Sequence, residues 1–107
     1  MIFGYDELKK YVNEDFERFY KMGFDEEQIL PAVLNEYEHG EDFCSTENIC
    51  VHLFLALKYA QNQLDINIVK QKLKLIIAED ITKEIISELG HEYTKYLSDL
   101  EIIMTHS

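Results

Sequence analysis

Apolar side chains recur at steps of three and four along most of the chain, the spacing that gathers them on one face of a helix. Over 5–22 they fall at Tyr5, Leu8, Val12, Phe16 and Phe19, while Lys9, Lys10, Glu14, Glu17 and Lys21 fill the other side. Gly23 can take the left-handed conformation that ends such a helix. Phe24 then falls where a Schellman motif makes its apolar contact. A second helix is expected from Asp25, with Gln28 three positions on to complete a capping box. Glu26 and Glu27 occupy its first turn, where the helix dipole favours negative charge. Leu30, Val33, Leu34 and Tyr37 form its inner face. Pro31 removes one backbone hydrogen bond six residues past the cap, which predicts a kink. Gly40 is expected to end the helix.

The next stretch departs from this one-sided pattern. ICVHLFLALKYA, at 49–60, is apolar on nearly every side, as in a helix buried on most of its surface. The expectation is a central helix over 46–62, capped by Ser45 or Thr46, with Glu47 near its positive end and Asn62 as its stop. Ile49, Leu53, Ala56 and Ala60 give one seam, which Cys50, Phe54 and Leu57 widen. A fourth helix over about 65–78 has Asp65 as cap and buries Ile66, Val69, Leu73, Ile76 and Ile77. Lys70, Lys72 and Lys74 form its solvated side. After a break at Glu79-Asp80, with Asp80 as cap, Ile81, Ile85, Leu89, Tyr93, Tyr96, Leu100 and Ile103 keep one seam over 81–104. That unbroken phase predicts one long helix with Gly90 inside it, at a cost of about 1 kcal/mol relative to alanine. The whole reads as an all-α, single-domain bundle over 1–107, with about five helices around the central one.

Composition agrees. A chain of 107 residues supports one modest core. At 47% hydrophobic it is too apolar for a disordered acidic tail. Four glycines and one proline leave little material for a loop-rich or all-β design. No apolar run approaches the roughly 20 residues of a membrane span, and Met1-Ile2-Phe3 runs directly into Gly4-Tyr5-Asp6-Glu7, unlike a signal peptide. A soluble cytoplasmic protein is the expectation. Cys44 and Cys50 match no zinc or redox spacing, and in that compartment both are expected to be reduced.

Charge changes the picture more than composition does. The formal net charge is −11. Between Lys21 and Lys58 there is no Lys or Arg, yet Asp25, Glu26, Glu27, Glu36, Glu38, Glu41, Asp42 and Glu47 all fall there. Such a field repels nucleic acid and anionic membrane and attracts basic partners. A solvated face kept for solubility is the plainer alternative. The densest part is the turn VLNEYEHGEDF, at 33–43, before the central helix. There Tyr37 and Phe43 offer apolar anchor area, and Glu36, Glu38, Glu41 and Asp42 ring it with charge. An apolar anchor with a charged rim is how many protein interfaces are built. These six residues are the candidate partner-binding site. Either aromatic could instead belong to the core, and Tyr37 already lies on the inner face of its helix.

Catalytic patterns are weaker. Two Glu-x-x-His motifs, Glu36…His39 and Glu88…His91, have the spacing used by di-iron carboxylate bundles. Glu88 and His91, however, fall with Glu84 and Lys95 on the polar side of the last helix, and His39 sits at a helix end. His52 reads as a hydrogen-bonded histidine at the edge of the core. No nucleophile elbow or phosphate-cradling loop is present. No enzymatic activity, cofactor or metal is expected.

The order YDELKKYVNEDFERFYKMGF, EEQILPAVLNEYEHG, ICVHLFLALKYAQNQL resembles the immunity protein 3 family of bacterial polymorphic toxin systems. The resemblance spans roughly 5–78, most closely the LNEYEHG turn and the central helix. It implies a mostly helical protein that protects the producing cell by binding a cognate toxin, and it implies no particular contact residues. Many such toxins are nucleases with basic clefts, which a compact acidic protein could occupy. The alternatives are a helical adaptor or regulatory domain for another basic protein, and a di-metal carboxylate bundle enzyme.

Overall fold

The stretch that is apolar on every side is also buried on every side. In the computed structural model, which describes residues 4–38, 44–79 and 82–106, α3 (Ser45–Gln61) is the axis of an all-α bundle. Ile49, Cys50, Val51, Leu53, Phe54, Leu55, Ala56 and Tyr59 are fully buried along it. Around it stand α1 (Tyr5–Lys21), α2 (Glu26–Glu38), α4 (Asn67–Ala78), α5 (Thr82–Leu89) and α6 (Tyr93–Thr105). Each of the five packs against α3. At about 1.5–3 kcal/mol per buried large apolar side chain, this helix supplies much of the force holding the bundle together.

The α1 seam is buried at Tyr5, Leu8, Val12 and Phe16, with Phe19 half-buried. Gly23 takes φ +92°, Phe24 N–H donates to Phe19 O at 3.1 Å, and Gly23 N–H donates to Tyr20 O at 3.1 Å. The Phe19 and Phe24 rings stack at 5.2 Å, completing a Schellman motif. Asp25 Oδ1 accepts from the N–H groups of Glu27 and Gln28 at 3.0 and 2.9 Å, and Gln28 Oε1 accepts from Asp25 N–H at 3.0 Å. This is the expected capping box. α2 then continues through Pro31, whose side is exposed.

Two helix starts differ from the sequence reading. The N-cap of α3 is Cys44, without a side-chain cap, and Ser45 is already helical. Thr46, expected as a possible cap, is buried instead, its hydroxyl without a partner among the described residues. α4 starts at Asn67, two residues late, although Asp65 Oδ1 still accepts from Asn67 N–H at 3.0 Å. Gly40, Asp80 and Ile81 lie outside the described residues.

The larger correction is at Gly90. The expected single helix over 81–104 is two, α5 and α6, joined by a 3₁₀ turn at Gly90–Glu92. Gly90 has φ +55°, in the left-handed region. The apolar phase survives because the short turn returns the chain to the same face of α3: Ile85, Leu89, Tyr96 and Ile103 are all buried. A Cβ at Gly90 would meet nothing within 4 Å, so only the backbone opposes a side chain there. Gly90→Ala should therefore destabilise by about 1–2 kcal/mol, with Gly90→Asn losing less because asparagine tolerates this conformation better. Thermal melts of the two variants check this, and a neutral or stabilising alanine would show that the turn is dispensable.

α6 is tied back to α1 by polar contacts. Tyr5 Oη donates to Asp99 Oδ2 at 2.6 Å, and Lys9 Nζ reaches the same oxygen at 3.1 Å. Lys95 pairs with Asp6 at 2.7 Å across the exposed edge. Of the three α4 lysines, Lys72 and Lys74 are solvated, whereas Lys70 donates to His106 O at 3.0 Å beyond the end of α6. Positive charge at a helix C-terminus is favourable.

Candidate partner-binding face

The tight Gly23 turn folds α2 back along α1, and this brings the end of α2 against the middle of α1. Glu36 and Tyr37 thereby meet Tyr11, Asp15 and Arg18. Tyr37 is half-buried against the core, and its hydroxyl donates to Asp15 Oδ2 at 2.8 Å. Arg18 Nη2 lies 2.9 Å from Glu36 Oε1 and 3.6 Å from Asp15 Oδ1, with its guanidinium carbon 4.7 Å from the centre of the Phe19 ring. Tyr11, Asp15, Glu36 and Tyr37 line a cleft of about 310 Å³.

The electrostatics of the cleft follow from burial. Loss of water raises the Asp15 carboxyl above its ordinary range, opposed by the Tyr37 hydrogen bond and by Arg18. Burial, then the bond to Asp15, raise the Tyr37 phenol far above its ordinary value. Tyr37 is thus a neutral donor at physiological pH.

Of the six candidate residues, Glu36 and Tyr37 are together on this cleft, and Glu38 is exposed on the last turn of α2. Glu41, Asp42 and Phe43 lie outside the described residues, as do His39 and Gly40. The Tyr37 ring packs at the edge of the core, as one of its two sequence readings expected, and the residue also lines the cleft. Tyr11, Asp15 and Arg18 were not among the candidates. The signal available was their spacing, which sets all three along one flank of α1 beside the buried stripe.

That arrangement also qualifies the charge argument. The interval from 22 to 57 lacks Lys and Arg in sequence, but in space Arg18 sits on Glu36. Outside that interval, Lys58 pairs with Glu17 at 2.8 Å. Glu47, near the start of α3, is buried.

The described histidines and cysteines differ in their surroundings. Glu88 and His91 are exposed and fall on opposite sides of the Gly90 break. No group of three or more His, Cys, Asp or Glu among the described residues could hold a metal ion. Cys44 and Cys50 are free thiols, and burial pushes that of Cys50 up to about 12. His52 is 4% exposed, and its Nδ1–H donates to Asn48 O at 2.8 Å. Burial lowers its pKa, assisted by Lys72 and partly opposed by the Asn48 bond and Glu38.

His52 therefore makes stability depend on pH. With the folded pKa below the unfolded value of about 6.5, the unfolded chain binds more protons in between. The stability is fully present above the unfolded value and is lost as pH falls toward the folded one. His52→Gln should flatten that segment of the pH profile in urea unfolding. An unchanged slope in the variant would assign it to other groups.

No protein-family profile, curated protein or solved structure matches this chain. No helix among the described residues is long and apolar enough to cross a membrane.

Proposed function

We infer that this chain is a non-enzymatic, cytoplasmic immunity protein that binds and neutralises a toxin carrying a basic surface. The observation that carries the reading is the α1–α2 cleft, where two tyrosines and two carboxylates stand beside the exposed end of α2. Aromatic anchor area with acidic surroundings suits a cationic protein surface. The net charge of −11 extends the attraction over longer range. The resemblance of residues 5–78 to the immunity protein 3 family supplies the toxin; the physics alone supplies only a basic partner.

The test is copurification with the product of a toxin-like reading frame directly upstream of the coding gene. A stable complex that protects cells expressing the toxin supports the reading. A basic partner with no toxic activity would make the chain an adaptor. Two metal ions per chain in protein purified without chelator would overturn the non-enzymatic assignment.

A further inference from the structure

The α1–α2 cleft already displays the kind of group its carboxylates take. Arg18, the only arginine in the sequence, holds its guanidinium 2.9 Å from Glu36 and 3.6 Å from Asp15, the two acids of the cleft lining. The other described residues of the lining are aromatic, Tyr11 and Tyr37. A volume of about 310 Å³ is at the bottom of the range for small-molecule sites, which suits one long side chain better than an independent ligand. Guanidinium is planar, is more weakly hydrated than ammonium, pairs with carboxylates through a fork of donors and stacks on aromatic rings.

Arg18 does not exhaust the negative charge. Among the described residues, Glu14 and Glu36 act on Asp15, and Asp15 and Glu36 act on Tyr37, with Arg18 the opposing positive charge at Asp15. Its contact with Asp15 is long, and its side chain is 52% exposed. The geometry points to this cleft as the seat of an arginine side chain from the basic partner, which stacks between Tyr11 and Tyr37 and competes with Arg18 for Glu36 and Asp15. This rests on the partner-binding reading above and names its anchor.

The test needs no toxin. The nitrogen-15-labelled chain is titrated at low salt with N-acetyl-arginine amide, N-acetyl-lysine amide and N-acetyl-glutamine amide, and amide shifts are followed by NMR. Saturable shifts centred on Tyr11, Asp15, Glu36 and Tyr37 are expected with the arginine probe. Binding of the lysine probe should be about two- to fivefold weaker, and the glutamine probe should leave those signals unmoved. Tyr11→Ala should weaken arginine binding by about the same factor. Arg18→Gln should strengthen it, because the competitor is gone.

Equal response to arginine and lysine, shifts scattered over all acidic positions, or an Arg18→Gln variant that binds no better would each overturn the proposal. Failure here with a toxin complex intact would remove the arginine anchor and leave the proposed function standing. A saturable arginine site in a chain that neutralises no toxin would do the reverse.

Discussion

Phe54→Ala should lower the stability of the bundle by about 3–5 kcal/mol. Phe54 is fully buried on α3 and meets the Tyr5 ring edge-on at 4.9 Å between centroids. Truncation removes the buried ring and leaves a cavity that close-packed neighbours fill only in part. The loss also reaches beyond the α1–α3 seam. Tyr5 Oη holds Asp99 of α6, and Asp99 in turn holds Lys9, so a Tyr5 ring without its support loosens three helices. Against the roughly 5–15 kcal/mol typical of whole domains, the effect is a large fraction of the total. Urea unfolding measures it, with Leu75→Ala as control: Leu75 is 71% exposed and should shift stability within about 0.5 kcal/mol. A Phe54→Ala variant within about 1 kcal/mol of the parent would mean that α3 is not the centre of the core.

The same helix shows why so much of the fold was legible. A run apolar on every side has one comfortable place, inside, and α3 is there. The α1 stripe and the Asp25–Gln28 box also express short-range rules, since every group they need lies within a few residues. His52 was legible for a related reason: a histidine flanked by Val51 and Leu53 on a buried helix must find a local acceptor. It finds Asn48 O, one turn back.

What was not legible depended on groups distant in sequence or on equivalent local solutions. At Gly90 the apolar spacing fits a continuous helix and also fits two helices rejoined in phase by a short turn. Periodicity cannot separate them, and positive φ at glycine decides for the break. At the end of α3, Asn62 was a readable stop, but the left-handed turn falls on Gln63 at φ +59°, a residue with no such preference. On the candidate face, the acids of α2 were visible as a charge run, whereas the cleft was not. It exists only because the Gly23 turn lays Tyr11 and Asp15 beside Glu36 and Tyr37. Arg18 shows the limit of reading charge along a chain: it pairs with Glu36 in space and lies 18 positions away in sequence.

Under the proposed function, replacing Glu36, Glu38, Glu41 and Asp42 together with lysine should greatly weaken binding of the basic partner while leaving the fold in place. Glu36 and Glu38 are exposed, and exposed charges contribute little to stability. Among the described residues the ion pair broken is Glu36–Arg18, with both side chains about half exposed. A lysine at position 36, facing Arg18, should therefore cost no more than about 1 kcal/mol. Binding should suffer far more, because like charges opposed across an interface cost several kcal/mol and long-range steering is reversed. The single changes should divide by position. Glu38→Lys, on the open last turn of α2, should mainly slow association. Glu36→Lys, in the cleft lining, should also speed dissociation, since an acid buried against an incoming arginine is worth roughly 2–5 kcal/mol when truncated. Raising salt should slow association of the unmodified protein, because exposed charges are screened beyond about 10 Å at 0.1 M. Circular dichroism establishes that the quadruple variant is folded, and a binding titration with the proposed basic partner gives the rates. If a folded quadruple variant binds and protects cells as well as the parent, the acidic end of α2 is solvated cover and the interface lies on another face of the bundle.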